Sequence, residues 1–206
     1  MMSGLMLVFL FIAIGFMIEV QSEKEQMENI AKTYRDNKAN INEVLHDEFE
    51  EDLKYWKASI TKNNTIVFNS PEVLFGVNKT KIEDHFKNIL DQFCPRLVDI
   101  LIKEPYKSEI KEITIEGHTS NKWAKSSSSK EIYLNNMRLS QNRAYSVLSY
   151  CYNLDDKRIK QNQKFIEKFF RANGMAFSKP KEGEFSRRVE FSIELHSEGK
   201  ILEILK

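Results

Sequence analysis

The first eighteen residues, 1–18, carry no charged side chain, and this constrains the chain more than any other feature. The run MMSGLMLVFLFIAIGFMI is hydrophobic apart from Ser3, Gly4 and Gly15. A helix rises about 1.5 Å per residue, so this run extends about 27 Å, close to the roughly 30 Å of a bilayer's hydrocarbon core. The sequence therefore predicts a transmembrane helix over residues 1–20.

A cleaved signal peptide is the alternative interpretation of this run. Signal peptides begin with basic residues and end at a small-x-small cleavage site. Here no basic residue comes first, and Ala13-Ile14-Gly15 is a poor cleavage candidate, so an uncleaved anchor is favoured. The first cysteine is Cys94, which excludes a lipoprotein. Orientation normally depends on basic residues at the cytoplasmic side, and their absence here leads us to expect that residues are missing before Met1.

Residues 21–60 contain neither Gly nor Pro and are dense in charge. Their apolar residues recur at helical spacings, which places them in one stripe along a helix. The stripe comprises Met27, Ile30, Tyr34, Ile41, Leu45, Leu53, Trp56 and Ile60. This pattern predicts a helical linker that either forms a dimeric coiled coil with a second copy or packs onto its own domain.

The folded domain is predicted to span residues 61–206. Periodic apolar patterns predict strands at 65–68, 111–116 and 187–195, and helices at 81–103, 136–152 and 161–172. Pro95 lies inside the first of these helices and is expected to kink or divide it. The order strand, helix, strand, helix, helix, strand predicts an α+β fold with helices on one face of a mixed sheet.

Composition and missing motifs exclude several classes of function. With 31 Lys and Arg against 30 Asp and Glu, the net charge is +1, so nucleic acid is not a predicted partner. Two cysteines, Cys94 and Cys151, are too few for a zinc cluster, and they either pair or stay free. The sequence has no HExxH, CxxC, GxSxG or phosphate-binding loop, so neither a metal nor a cofactor is predicted.

One pair of residues points to catalysis. Glu116 and His118 lie two apart on a predicted strand, so both face the same side and a proton-transfer pair is conceivable. A structural histidine at the strand end is the simpler interpretation. A nucleophile and base formed by Cys151 and His118 would lack a third, orienting group. The sequence therefore predicts no enzyme.

Three separated segments resemble the signatures of the OmpA/MotB C-terminal domain family. They are ITIEGHT at 113–119, NMRLSQNRA at 136–144 with Val147 after it, and RRVE at 187–190. These resemble the family's IxGHTD, NxxLSxxRAxxV and NRRVE patterns and occur in the same order over about residues 63–196. Residues 66–68 with Leu74-Phe75 are similar to the family's first strand. The resemblance implies an OmpA-like βαβα-β domain that binds peptidoglycan noncovalently through the diaminopimelate of its stem peptide.

The resemblance and the local chemistry together predict a ligand site. Arg143 is expected to clamp the ligand carboxylate, since a planar guanidinium binds a carboxylate through two donors and a helix start offers free N–H groups. The residues expected to complete the pocket are Thr119, Asn136 and Leu139, with Arg187 or Arg188 nearby.

Two departures from the family pattern bear on this site. Ser120 stands where the family has an Asp that would hold the ligand's ammonium, and a hydroxyl is a weaker, uncharged acceptor. The loop at 120–135 is longer than the family's usual connection, and its Trp123 is expected either to contact a sugar ring or to cover the sheet. Ligand affinity or ligand choice is therefore expected to differ from the family's.

The order of segments distinguishes among members of this family. One uncleaved span, a helical linker and this domain occur together in B subunits of ion-driven stators. The resemblance thus implies a single-pass inner-membrane protein with its domain in the periplasm, a homodimer, and a multi-span A-type membrane subunit as partner. Residues 1–9 are similar to the stator run that directly follows an ion-carrying aspartate, so we expect the sequence to start just after that residue.

Within stator-like proteins, the chain looks most like the B subunit of Zorya-type anti-phage defence systems. The residues that carry this resemblance are 116–120, the helix pattern at 136–143, and Tyr150-Cys151-Tyr152. A flagellar-type stator subunit is the alternative, as is a plain envelope tether without motor activity.

Overall fold

The computed structural model describes residues 2–69, 74–76, 78–121, 128–181 and 186–196. It opens with one long helix, α1 (Met2–Trp56), whose 55 residues extend about 80 Å. Among the described helices, α1 is long and apolar enough at its start to cross a membrane. Its side chains from Met6 to Val20 are exposed in the described part of the chain, as an apolar surface facing lipid would be.

The other elements lie after α1 and alternate between short strands and helices. They are β1 (Ala58–Ile60), β2 (Thr65–Phe68), α2 (Asp84–Leu101), α3 (Tyr106–Glu109), β3 (Ile110–Gly117), α4 (Ser129–Tyr152), α5 (Lys157–Gln161), α6 (Gln163–Phe169), β4 (Phe170–Gly174) and β5 (Val189–Leu195).

The strands form one mixed sheet in the order β1-β2-β5-β3-β4. Strands β3 and β4 pair in parallel, and the other neighbours are antiparallel. Central strand β5 turns Val189, Phe191, Ile193 and Leu195 into the core, as their alternation predicts. Helices α1, α2 and α4 cover this face, and the α+β prediction is confirmed.

Aromatic rings join the helices to the sheet. The Phe93 ring of α2 lies 4.9 Å from the Phe191 ring, and 5.2 Å from the rings of both Phe68 and Phe49, measured between centroids. All four side chains are fully buried. Because Phe49 belongs to α1, the long helix shares the core of the sheet.

The second half of α1 is fastened to this body by polar contacts as well. Arg96 of α2 donates from Nε to Glu48 Oε1 and from Nη1 to Asp52 Oδ2, both at 2.6 Å. Asn42 Nδ2 donates to the carbonyl oxygen of Thr61 at 2.8 Å. The predicted boundary at residue 61 therefore falls inside a continuous core, whereas Met27 of the same stripe stays 42% exposed.

Two helices differ from their predicted form. Helix α2 runs without division through Pro95, which removes only one N–H donor while the buried face of the helix stays intact. Helix α4 begins seven residues earlier than predicted, because Ser128 and Glu131 form a capping box. The connection before α4 is correspondingly shorter, and Trp123 lies outside the described residues.

The predicted helix at 161–172 is wrong in its last part. Helix α6 ends at Phe169, and the next five residues form β4, which pairs in parallel with β3 through Ile113↔Phe170 to Gly117↔Gly174. This strand pairs its backbone groups with a neighbour distant in sequence, which overrides the helical spacing that Phe170 continues from Phe165, Ile166 and Phe169.

The two cysteines pair. Cys94 of α2 and Cys151 of α4 form a buried disulfide with a Cα–Cα distance of 5.7 Å across 57 positions of sequence. The bond ties together the two helices that flank the candidate site.

Candidate functional site

Two glycines set the position of α4 against the sheet. A Cβ atom on Gly117 would lie 2.2 Å from the carbonyl oxygen of Ser140, and one on Gly174 would lie 2.6 Å from the backbone nitrogen of Gln141. Backbone contact this close is open to glycine alone. Gln141 adds two hydrogen bonds, accepting from Gly174 N at 2.7 Å and donating to Ala172 O at 2.9 Å. The turn of α4 that carries Arg143 is thereby fixed beside the ends of β3 and β4.

Arg143 is buried against Phe75, Gly76 and Lys79, with 7% of its surface exposed. Its Nε donates to the carbonyl oxygen of Lys79 at 2.9 Å and its Nη2 to that of Gly76 at 3.2 Å. The guanidinium carbon stands 5.0 Å from the centre of the Phe75 ring. These contacts hold the guanidinium plane in one orientation.

The electrostatics of Arg143 are unfavourable in the free protein. Burial lowers its pKa to about 10, and the positive charge of Arg187 contributes in the same direction. Within the described part of the chain, no carboxylate forms an ion pair with it, and of its five N–H donors two are engaged. A buried cation in this state gains most from an anionic ligand.

The other predicted pocket residues lie around the same helix turn. Thr119 is buried, its N donates to Ala176 O at 2.8 Å, and its Oγ1 has no hydrogen-bond partner among the described residues. Ala176 N in turn donates to Ser140 Oγ at 3.0 Å, which connects Thr119 to α4. Asn136 is buried on α4 about two turns before Arg143, and its Nδ2 donates to Ile132 O.

Leu139 and Ser120 are both half-buried. Among the described residues, no hydrogen bond or ion pair joins either side chain to Arg143, although Leu139 lies one helix turn before it on α4. Their place in the pocket therefore stays a prediction.

The two consecutive arginines have different surroundings. Arg187 is half-buried and lies close enough to Arg143 to influence its ionisation. Arg188 is fully buried and donates from Nε to Glu190, with a further bond from Nη1 to Lys179 O at 3.2 Å. The guanidinium of Arg188 is thus engaged inside the protein, and Arg187 lies near Arg143; the part of either arginine in ligand binding stays a prediction.

A polar cluster occupies the sheet face opposite α4. His118 Nε2 lies 3.2 Å from Glu116 Oε2 and 3.6 Å from Glu190 Oε2, without hydrogen-bond geometry to either. With 1% of its surface exposed, His118 offers no access to a substrate. The side chains of Lys179 and Arg188 already neutralise the two carboxylates, so the cluster is balanced without a metal ion.

The backbone partners of Arg143 could not be predicted from the sequence. Carbonyl oxygens at 76 and 79 leave no signature in the side-chain sequence. The pairing of Arg188 with Glu190 can be predicted from the sequence, because residues two apart on a strand lie on the same face.

Glu190 makes the stability of the domain depend on pH. Burial raises its pKa, but the nearby His118 imidazole and the Arg188 guanidinium outweigh burial, and the pKa falls below its ordinary value of 4.5. A lowered pKa stabilises the fold at pH above 4.5, and this contribution is lost as the pH falls below it. We expect Glu190→Gln to lower stability by about 2 kcal/mol at pH 7 and to lessen the decline in Tm between pH 7 and pH 3.

Thermal unfolding of both proteins across that pH range measures this effect. Glu194→Gln is the matched control, since Glu194 lies on the same strand and pairs with Lys111 at the surface. Parallel pH profiles for wild type and Glu190→Gln would contradict the assignment.

Comparisons with known proteins place the chain in a family. No family model matches it. It is 38% identical over 214 aligned residues to the Zorya protein ZorB of Escherichia coli (strain ATCC 8739), and the match spans all of this chain and 89% of that protein.

Two solved structures are also similar. The cell wall anchor of the T6SS from Pseudomonas aeruginosa is 20% identical with a TM-score of 0.48, covering 74% of this chain and 97% of that one. The periplasmic domain of Helicobacter pylori MotB is 18% identical with a TM-score of 0.42, covering 72% and 95%. The full-length match to ZorB confirms the resemblance seen in the motifs, and the chain belongs to the ZorB family of Zorya proteins.

Proposed function

We propose that the chain is a MotB-like B subunit of an ion-driven motor or channel in the bacterial inner membrane, acting in anti-phage defence. Its C-terminal domain binds peptidoglycan noncovalently and so anchors the complex. Membership of the ZorB family supports the role, and the apolar start of α1 supports the membrane location. The observation that carries peptidoglycan binding is the buried guanidinium of Arg143, which has no acidic partner among the described residues.

The ligand group at Arg143 is the carboxylate of diaminopimelate in the peptidoglycan stem peptide. The guanidinium is held by backbone carbonyls on one edge, which leaves donors for two carboxylate oxygens. Arg187 adds positive charge near this site, and the buried side chain of Thr119 helps to shape the pocket. Asn136 and Leu139 complete the pocket, with Ser120 as a neutral acceptor for the ligand's ammonium.

The disulfide supports a periplasmic location for the domain. Disulfides persist in oxidising compartments such as the bacterial periplasm and are rare in the cytosol. The bond between Cys94 and Cys151 therefore favours a single-pass topology in which residues after the membrane span face the periplasm.

The assembly we propose contains two copies of this chain and a multi-span A-type membrane subunit. The exposed part of the apolar stripe on α1, which includes Met27, offers a surface for pairing of the two copies. A plain envelope tether is the alternative function. It needs no A-type subunit, so co-purification of such a subunit with the full chain distinguishes the two.

Co-sedimentation of the detergent-solubilised full chain with purified sacculi tests peptidoglycan binding. We expect the chain to pellet with sacculi and to be released by an excess of the free stem tripeptide, L-Ala-γ-D-Glu-meso-diaminopimelate. A chain that stays in the supernatant, or that the tripeptide does not release, would overturn the proposal.

A further inference from the structure

We infer a second subsite next to Arg143, a groove along α4 that binds the glycan part of the same peptidoglycan ligand. This inference rests on the proposed function and extends it. The groove has a volume of about 550 Å³, within the usual range for small-molecule sites. The lining residues relevant to recognition are Thr80, Lys81, Lys87, Tyr145, Ser149 and Asn153.

The groove begins one residue after a backbone partner of Arg143. Arg143 Nε bonds the carbonyl oxygen of Lys79, and the next two residues, Thr80 and Lys81, line the groove. Tyr145, on α4 two residues beyond Arg143, lines it as well. In peptidoglycan, the diaminopimelate residue is third in the stem peptide, and three extended residues span about 10 Å. A ligand held at Arg143 thus has its sugars within reach of the groove.

The chemistry of the lining favours a saccharide. Tyr145 is 63% exposed, so its ring offers an uncovered apolar face to the C–H groups of a sugar. Ser149 and Asn153 supply neutral hydroxyl and amide groups that can bond sugar hydroxyls.

One lining tyrosine of the groove is held in place, and the charges of the lining are largely balanced. Tyr150 is held by a hydrogen bond from its hydroxyl to Asp91 Oδ1 at 2.7 Å. Lys87 pairs with Asp84 at 2.7 Å, and the lining residues Lys81 and Asp155 carry opposite charges, so the groove has little net charge to attract a highly charged ligand. A polyhydroxyl chain suits this combination of one aromatic face and neutral polar groups.

The test compares two ligands on the full chain in detergent. One is the stem tripeptide, and the other is the same tripeptide attached to its N-acetylglucosamine–N-acetylmuramic acid disaccharide. We expect the wild type to bind the disaccharide-tripeptide about fivefold more tightly. Tyr145→Ala is expected to remove this difference while keeping its affinity for the tripeptide within about twofold of the wild-type value.

Tyr55→Ala is the matched control, since Tyr55 is a tyrosine on α1 that is 80% exposed and lies outside the groove. It is expected to keep the wild-type preference. Equal affinity of the wild type for both ligands would overturn the glycan subsite alone, as would loss of tripeptide binding in Tyr145→Ala. Failure of the wild type to bind either ligand would overturn the proposed function together with the subsite.

Discussion

Replacing Arg143 with Ala is expected to weaken binding of the full chain to purified sacculi by about 100-fold. The guanidinium is the buried positive group at the proposed site, and a charge-assisted hydrogen bond contributes about 1.5–3 kcal/mol. Loss of two such bonds to one carboxylate gives about 3 kcal/mol or more, which corresponds to about 100-fold in affinity. Binding isotherms from co-sedimentation at increasing sacculus concentration measure the change.

The Arg143 experiment needs controls for position and for folding. Arg138→Ala removes an exposed arginine from the same helix, whose guanidinium bonds Asn135, and it is expected to bind sacculi like the wild type. Arg143→Lys keeps the charge but loses the planar pair of donors, so an intermediate affinity is expected. Retention of wild-type affinity by a folded Arg143→Ala protein would show that the ligand binds elsewhere.

Removing the disulfide is expected to cost about 4 kcal/mol of folding stability. A bond that closes a loop of 57 residues restricts the unfolded chain, and the loop-entropy relation gives about 4 kcal/mol for this length. We expect the double variant Cys94→Ala/Cys151→Ala to unfold at a correspondingly lower urea concentration. Equilibrium urea unfolding, followed by tryptophan fluorescence, measures the difference.

Two further measurements check the disulfide itself. Wild-type protein treated with a reductant is expected to match the double variant, because both lack the bond while the core residues around it stay the same. In intact cells, thiol-reactive probes are expected to label the wild type only after reduction and unfolding, since both cysteines are buried. A double variant as stable as the wild type would contradict a structural role for the bond.

The sequence predicts those elements whose periodicity is unambiguous. The alternation along β5 identifies its core face residue by residue, and the charge-free run and the stripe in α1 identify the long helix. Strand β4 is missed because Phe170, its first residue, continues the apolar spacing of α6. Its pairing with β3 is a contact between distant parts of the chain, which local periodicity does not encode.

The candidate site, too, is predicted in part from the sequence and in part only from the structure. Arg143 is identified from its motif, but its orientation depends on carbonyl oxygens at Gly76 and Lys79, and every residue type supplies a carbonyl. Which of Arg187 and Arg188 lies nearer to Arg143 depends on the face of the sheet that each side chain occupies. Only the structure shows that Arg188 turns toward Glu190 and leaves Arg187 on the side of Arg143.

The continuity of α1 has a mechanical consequence for an anchored motor. From Phe16 to Asn69 the chain has neither glycine nor proline, and residues 41–56 are locked into the domain. If residues 1–20 cross the membrane as proposed, the intervening 20 residues form a hinge-free rod of about 30 Å. This rod then sets both the height of the proposed ligand-binding surface above the lipid and its orientation about the helix axis. Each inserted residue would lift that surface by about 1.5 Å and turn it by about 100°, so the length of the rod determines how far the surface stands from the membrane and which way it faces.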